Sequence, residues 1–260
     1  MKRLIFTAVV LCSGCITAGD FSANSLMTDI EFALPGSRVG RLGPGAVQAD
    51  WRDEDRRWLH VVAIETQRSG IVLKAALAND RFRGRMETLD SLSGRKGALA
   101  AISVGYPDKR GLVTGGLTVL DRAVQLAPNP PKRPSIVIGR DYAFAIGNFH
   151  PDLNPDIDYD EALTGLWSVG SGHPVAPVGE RPWTMICRAS KRDAMLWIFA
   201  PDGGPAESVA SKLKCGDAFI GSVGELAGMV VKGKNVATER GLRRSVGQVG
   251  SALLLLQSKS

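Results

Sequence analysis

The 260-residue sequence has little of what marks the common enzyme classes. It contains no phosphate-binding loop, no dinucleotide fingerprint and no zinc-ligand spacing, which removes nucleotide-dependent and zinc chemistry as readable expectations. The Gly-x-Ser-x-Gly nucleophile elbow is absent, and Gly221-Ser-Val-Gly224 is one residue short of it. No internal repeat is visible, which excludes a solenoid reading. Charged residues are 22% of the chain and its lysines and arginines are scattered, so a net charge of +6 reads as a solvated basic surface and not as a nucleic-acid footprint. Cysteines number four, and two of them, Cys12 and Cys15, fall near the N-terminus. No metal-ligand cluster and no cofactor motif is seen, so neither a metal nor a cofactor is implied.

What is present is a hydrophobic content of 44% and 30 glycines set singly between apolar runs. The first is ordinary for a folded domain, and the second favours strands and turns over a helical bundle. Lys2-Arg3, the apolar run 4–11 and the small residues up to Cys15 have the three regions of an export leader. The run is too short for a permanent span. Cys12-Ser-Gly-Cys15 is similar to a lipobox, with Cys12 where leucine is usual, and so points to lipidation at Cys15 and a membrane lipid anchor. The alternative is an ordinary leader cut near Ala18-Gly19. Either way the chain is expected in the bacterial envelope or periplasm. Exported cysteines invite a disulfide between Cys187 and Cys215, while their apolar settings equally suit buried thiols.

The expected organisation is a leader at 1–19, a tether and opening strand at 20–54, and one sheet-rich α+β domain at 55–257. Trp58–Glu65 and Ile71–Leu77 read as a hairpin, and Gly111–Leu120 as another around Gly115-Gly116. Met86, Leu89 and Leu92 have helical spacing. A strand pair is expected around Arg140-Asp141, and Ala194–Ala200 has the continuous apolar run of a core strand. His60 reads as a satisfied core histidine, and the acidic segment 150–161 as a solvated loop. The segment 214–233 combines strand, glycine turn and strand, and displays Ser222 and Glu225.

The order of these blocks resembles the phosphodiester glycosidase family. Ala101-Ile-Ser-Val-Gly-Tyr-Pro107 is similar to the family's Ala-Ile-Asn-Gly-Gly-Tyr-Phe, and Asp217–Gly233 lies without a gap on its Asp-Ala-Leu-Asn-Leu-Asp-Gly-Gly-Gly turn. Glu239-Arg240 and Arg243–Val246 look like its Glu-Arg-x-Val segment. Departures fall on polar residues: Ser103 replaces the asparagine, Trp183 the arginine, and Ser222 the aspartate. The resemblance implies a glycan or sugar-phosphate ligand. Its candidate catalytic residues are Ser103, Ser222 and a displaced acid, Glu225, with Tyr106, Arg181, Thr184 and Arg244 binding substrate and an arginine holding phosphate. Such cleavage needs a carboxylate or comparable acid. The readings that remain are an envelope hydrolase acting on sugar phosphodiesters, a non-catalytic glycan- or phosphate-binding module, and a structural lipoprotein.

Overall fold

A computed structural model describes residues 18–66, 70–81, 86–105, 116–128, 133–169, 178–190, 193–236 and 248–258. Three helices and three antiparallel sheets make a single α+β domain. The largest sheet runs, in spatial order, β1 (Arg38–Gly43), β2 (Ala46–Arg52), β3 (Trp58–Glu65), β14 (Ala194–Ala200), β13 (Trp183–Ala189), β15 (Cys215–Val223) and β12 (Trp167–Val169). A second sheet orders β10 (Phe144–Gly147), β9 (Ser135–Ile138), β11 (Glu161–Thr164), β7 (Thr118–Leu120) and β8 (Ala123–Leu126). The third orders β17 (Lys234–Asn235), β16 (Met229–Val231), β6 (Ala100–Ser103), β19 (Ser251–Gln257) and β4 (Ile71–Leu77). A small ladder pairs β5 (Glu87–Thr88) with β18 (Gln248–Val249).

Strand β14 shows why the layers stack as they do. All seven residues are buried, and they divide by parity. Met195, Trp197 and Phe199 face the main core, where the large sheet meets the other two. Ala194, Leu196, Ile198 and Ala200 face the opposite layer, which α1 (Ala18–Ala33) and α3 (Ala206–Lys212) cover through Leu26, Ile30, Ala206 and Ala210. A strand buried on both faces must be apolar throughout, which is the pattern its sequence carries. On the outer side of the third sheet, α2 (Leu89–Lys96) lays Leu89 and Leu92 over Ala101, Val230 and Leu254. This helix is capped at both ends: the Thr88 side chain accepts from the Ser91 amide at 3.2 Å, and Gly97 turns the chain at φ 64°.

Several expectations change. Strands β3 and β4 do not form a hairpin, because β3 pairs with β2 and β14 while β4 pairs with β19 in another sheet. A polar turn signals reversal, but partner choice followed burial: β3 is apolar enough to be central, whereas β4 is an edge strand. Residues 111–115 of the hairpin expected around Gly115-Gly116 lie outside the described residues; its last residues form β7, which pairs with β8 across a turn at Asp121-Arg122, both at positive φ. The large sheet begins upstream of residue 55, since β1 and β2 are its first two strands and α1 packs on it. The pair β9 and β10 does turn around Arg140-Asp141.

Cys187 of β13 and Cys215 of β15 are joined by a disulfide with Cα atoms 5.6 Å apart. It closes a loop of sequence separation 28, which in the chain-entropy account stabilises by roughly 3–4 kcal/mol.

Candidate functional site

The segment singled out in the sequence becomes β15, a short 3-10 turn at Gly224–Leu226, and β16. β15 lies in the large sheet and β16 in the third, so the turn carries the chain between sheets. Strand β6, which holds Ser103, pairs with β16 and ends against β15.

Three of the expected residues meet at this crossing. The Thr184 hydroxyl donates to the Ser103 carbonyl at 2.9 Å and accepts from the Ser222 amide at 2.9 Å. The Ser103 hydroxyl accepts from the Gly228 amide at 2.9 Å and donates to the Gly228 carbonyl at 3.3 Å. Gly105 donates its amide to the Gly221 carbonyl at 3.2 Å, and the Ser251 hydroxyl donates to the Val104 carbonyl. Local geometry makes this possible through a bulge. Thr184 pairs with Ser222 and Met185 with Ile220, leaving Gly221 as the extra residue. A Cβ there would stand 2.9 Å from the Thr184 hydroxyl oxygen and 3.1 Å from the Ser103 carbonyl, so only glycine lets the strands approach this closely.

All three residues are buried, and the hydroxyls of Ser103 and Thr184 are committed to main-chain groups. No described residue hydrogen-bonds to the Ser222 hydroxyl, and no described carboxylate or guanidinium bonds to this cluster. The Ser222 hydroxyl is the contact it can offer; among the described residues it holds no proton donor of carboxylic acid type.

The other candidates lie elsewhere. Glu225 is exposed on the 3-10 turn and Arg181 is exposed just before β13; neither makes an ion pair with a described residue. Trp183, at the position where the family resemblance would put an arginine, is fully buried on the helix-covered face and donates its indole N–H to the Gly204 carbonyl at 3.0 Å. Its side chain therefore faces away from Thr184, which shares a face with Phe199 of the main core. Tyr106, Arg244 and Cys15 lie outside the described residues. Among the described residues no group of three His, Cys, Asp or Glu side chains is placed to hold a metal, and no helix is long and apolar enough to cross a membrane.

Sequence reasoning missed two charged arrangements. Glu161, read as part of a solvated loop, is buried at 2% exposure and binds the Lys74 ammonium at 2.7 Å, tying the second sheet to the third. Burial pushes its carboxyl up, and the bond to Lys74 works against that. Lys74 loses some solvation, yet its bonds to Asp121 and Glu161 hold its ammonium above the ordinary range. Near α2, Glu87 accepts from the Arg95 guanidinium at 2.9 Å, the Asn79 amide at 2.8 Å and the Ser91 hydroxyl at 2.7 Å. The Arg95 bonds dominate and hold its carboxyl at about 2. Burial of acids is not written in local sequence, because their partners lie on other elements.

His60 is only half as expected. It is buried, with Nδ1 2.7 Å from the Asp50 carboxylate, but Nε2 has no partner. Cross-strand register places Asp50, His60, Phe199, Thr184 and Ser222 in one row across the large sheet.

No protein-family model matches the chain, and no curated protein does. Solved structures do. A hypothetical protein from Synechocystis superimposes with a TM-score of 0.69 at 10% identity over 86% of this chain; the chain spans 64% of that protein's length. The catalytic domain of zebrafish N-acetylglucosamine-1-phosphodiester alpha-N-acetylglucosaminidase, in a form auto-inhibited by its pro-peptide, gives 0.64 at 13% identity, covering 86% of this chain and 84% of that one. A protein of Burkholderia pseudomallei described as exported gives 0.51 at 13% identity, covering 80% and 74%. At such identities the likeness is one of fold: this chain shares a distant structural relationship with the zebrafish glycosidase domain.

Proposed function

We propose that this protein is an exported envelope protein whose glycosidase-like domain binds a sugar phosphodiester or related glycan without hydrolysing it. The observation that carries this reading is the crossing itself. Serine stands where the resembling turn has its aspartate, and the hydroxyls of Ser103 and Thr184 are occupied by main-chain partners. A hydroxyl of ordinary acidity cannot protonate a leaving group as a carboxylic acid does. The Ser222 hydroxyl, which no described residue bonds, remains suited to hydrogen-bonding a glycan, with Arg181, Tyr106 and Arg244 as further contacts. Glu225 belongs to the hydrolase alternative; it is exposed on the turn that follows Ser222, and no described bond joins it to the cluster.

Export is supported by the leader-like N-terminus, by the disulfide, which oxidising compartments favour, and by the fold likeness to a protein described as exported. A lipid on Cys15 belongs to the same reading, and the intact mass of the mature N-terminus from the native host tests it. For the ligand, titration calorimetry with a methyl phosphodiester of N-acetylglucosamine should give saturable binding that Ser222→Leu weakens about tenfold by filling the contact point. No binding of that ligand, or binding that Ser222→Leu leaves unchanged, would overturn the assignment to the crossing.

A further inference from the structure

His60 carries a feature that packing alone does not explain. Its ring is held between Trp58, with centroids 6.3 Å apart and planes at 9°, and Phe199, at 6.0 Å and 24°. Asp50 fixes one nitrogen at 2.7 Å, which sets the tautomer with the proton on Nδ1. The second nitrogen is buried and unpartnered. A buried polar atom without a partner costs about 1–3 kcal/mol, and native structures carry few of them.

The same histidine lines a cavity of about 200 Å³ where the large sheet and the third sheet diverge. Its other polar walls are Gln48, Asp50, Lys232 and Lys234, and Met229 supplies apolar surface. Lys232, on the turn between β16 and β17, donates to the Arg41 carbonyl at 3.3 Å, and Lys234 opens β17; both are exposed. Asp50 contributes one carboxylate to the lining and Lys232 and Lys234 contribute two ammonium groups, so the charged side chains of the cavity are one positive charge in excess. An Nε2 proton is required to meet an anion, and it is the ring nitrogen that Asp50 does not occupy.

We propose that this cavity binds a phosphate-type oxyanion, free or as the terminal group of a sugar phosphate, with the His60 Nε2–H as the inner donor and Lys232 and Lys234 at the rim. The site is distinct from the Ser103–Thr184–Ser222 crossing. His60 and Thr184 are two strands apart on one face, about 10 Å by strand spacing. Binding takes up one proton at Nε2, so by linkage affinity falls as pH rises. The charged groups that line the cavity with His60 are Asp50 on β2 and the two lysines; Trp58, Phe199 and Met229 carry no charge.

The test uses the full chain with nitrogen-15 in its histidine rings, titrated with inorganic phosphate in one arm and N-acetylglucosamine 1-phosphate in the other. A saturable shift of the His60 Nε2 resonance is expected, weakening with rising pH. The exposed double variant Lys232→Met/Lys234→Met should weaken it about tenfold or more without changing the fold. A shift in both arms supports a site for the free oxyanion, and a shift only with the sugar phosphate supports the same oxyanion read as part of a sugar. No saturable shift in either arm, or a shift indifferent to the lysine substitutions, overturns the proposal. Glycan binding at Ser222 can fail while this shift persists, so the two proposals fall separately.

Discussion

The crossing between the large and third sheets is tied by neutral hydroxyls, whereas the junction between the second and third sheets is tied by ions. At the crossing, the Thr184 and Ser103 hydroxyls are bonded to main-chain groups, and among the described residues no charged group bonds to them. At the junction, Lys74 reaches the Asp121 and buried Glu161 carboxylates. A neutral hydroxyl is cheap to bury once bonded, while a buried carboxylate depends on its counter-ion. The comparison therefore separates a scaffold contact that tolerates all pH values from one that does not. It also identifies the crossing as electrostatically the quieter of the two.

The largest effect should come from breaking the ionic side. Lys74→Met strands Glu161 in the interior and should cost about 3 kcal/mol at pH 7, read as a lowered denaturation midpoint. The loss should shrink in acid, where Glu161 can take a proton. Replacing both partners, Lys74→Met with Glu161→Leu, should recover most of it, and a failure to recover would mean the pair contributes more than mutual neutralisation.

A second ionic contact sharpens the pH contrast. Glu87 has its folded-state carboxyl depressed from 4.5 to about 2. Its contribution is therefore present above pH 4.5 and is lost as pH falls through that interval toward 2. The shift bounds it at about 3 kcal/mol. Stability of the wild type should fall across this window more steeply than that of Glu87→Gln, and parallel curves would remove Glu87 from the account.

The smallest effect is expected at the crossing. Thr184→Val keeps the shape but leaves the Ser222 amide and Ser103 carbonyl without their partner, which should cost about 1–2 kcal/mol at every pH. Thr184→Ser should restore most of it. A strong pH dependence in Thr184→Val would show a titrating group at the crossing and break the comparison.

These differences also mark what the sequence could say. Strand β14 was legible because a strand buried on both faces has no polar alternation to confuse it, and the β9–β10 turn was legible from Arg140-Asp141. The partner of β3 was not, since apolar content reports burial and not which edge a strand joins. α1 was hidden because side chains it packs, Leu26, Met27, Ile30 and Ala33, are interrupted by Thr28, Asp29 and Glu31. At the site, the sheet crossing brings Ser103, Thr184 and Ser222 together, and the commitment of hydroxyls to Gly228 and to the Ser103 carbonyl depends on strand pairing that no local pattern encodes. The unpartnered His60 nitrogen was invisible for the same reason.

The central claim is that the crossing binds and does not cleave. Prolonged incubation of a methyl phosphodiester of N-acetylglucosamine with excess protein, followed by proton NMR for free N-acetylglucosamine, tests it most directly. The account predicts release no faster than the protein-free blank. Release above the blank that Glu225→Gln or Ser222→Ala abolishes would contradict it.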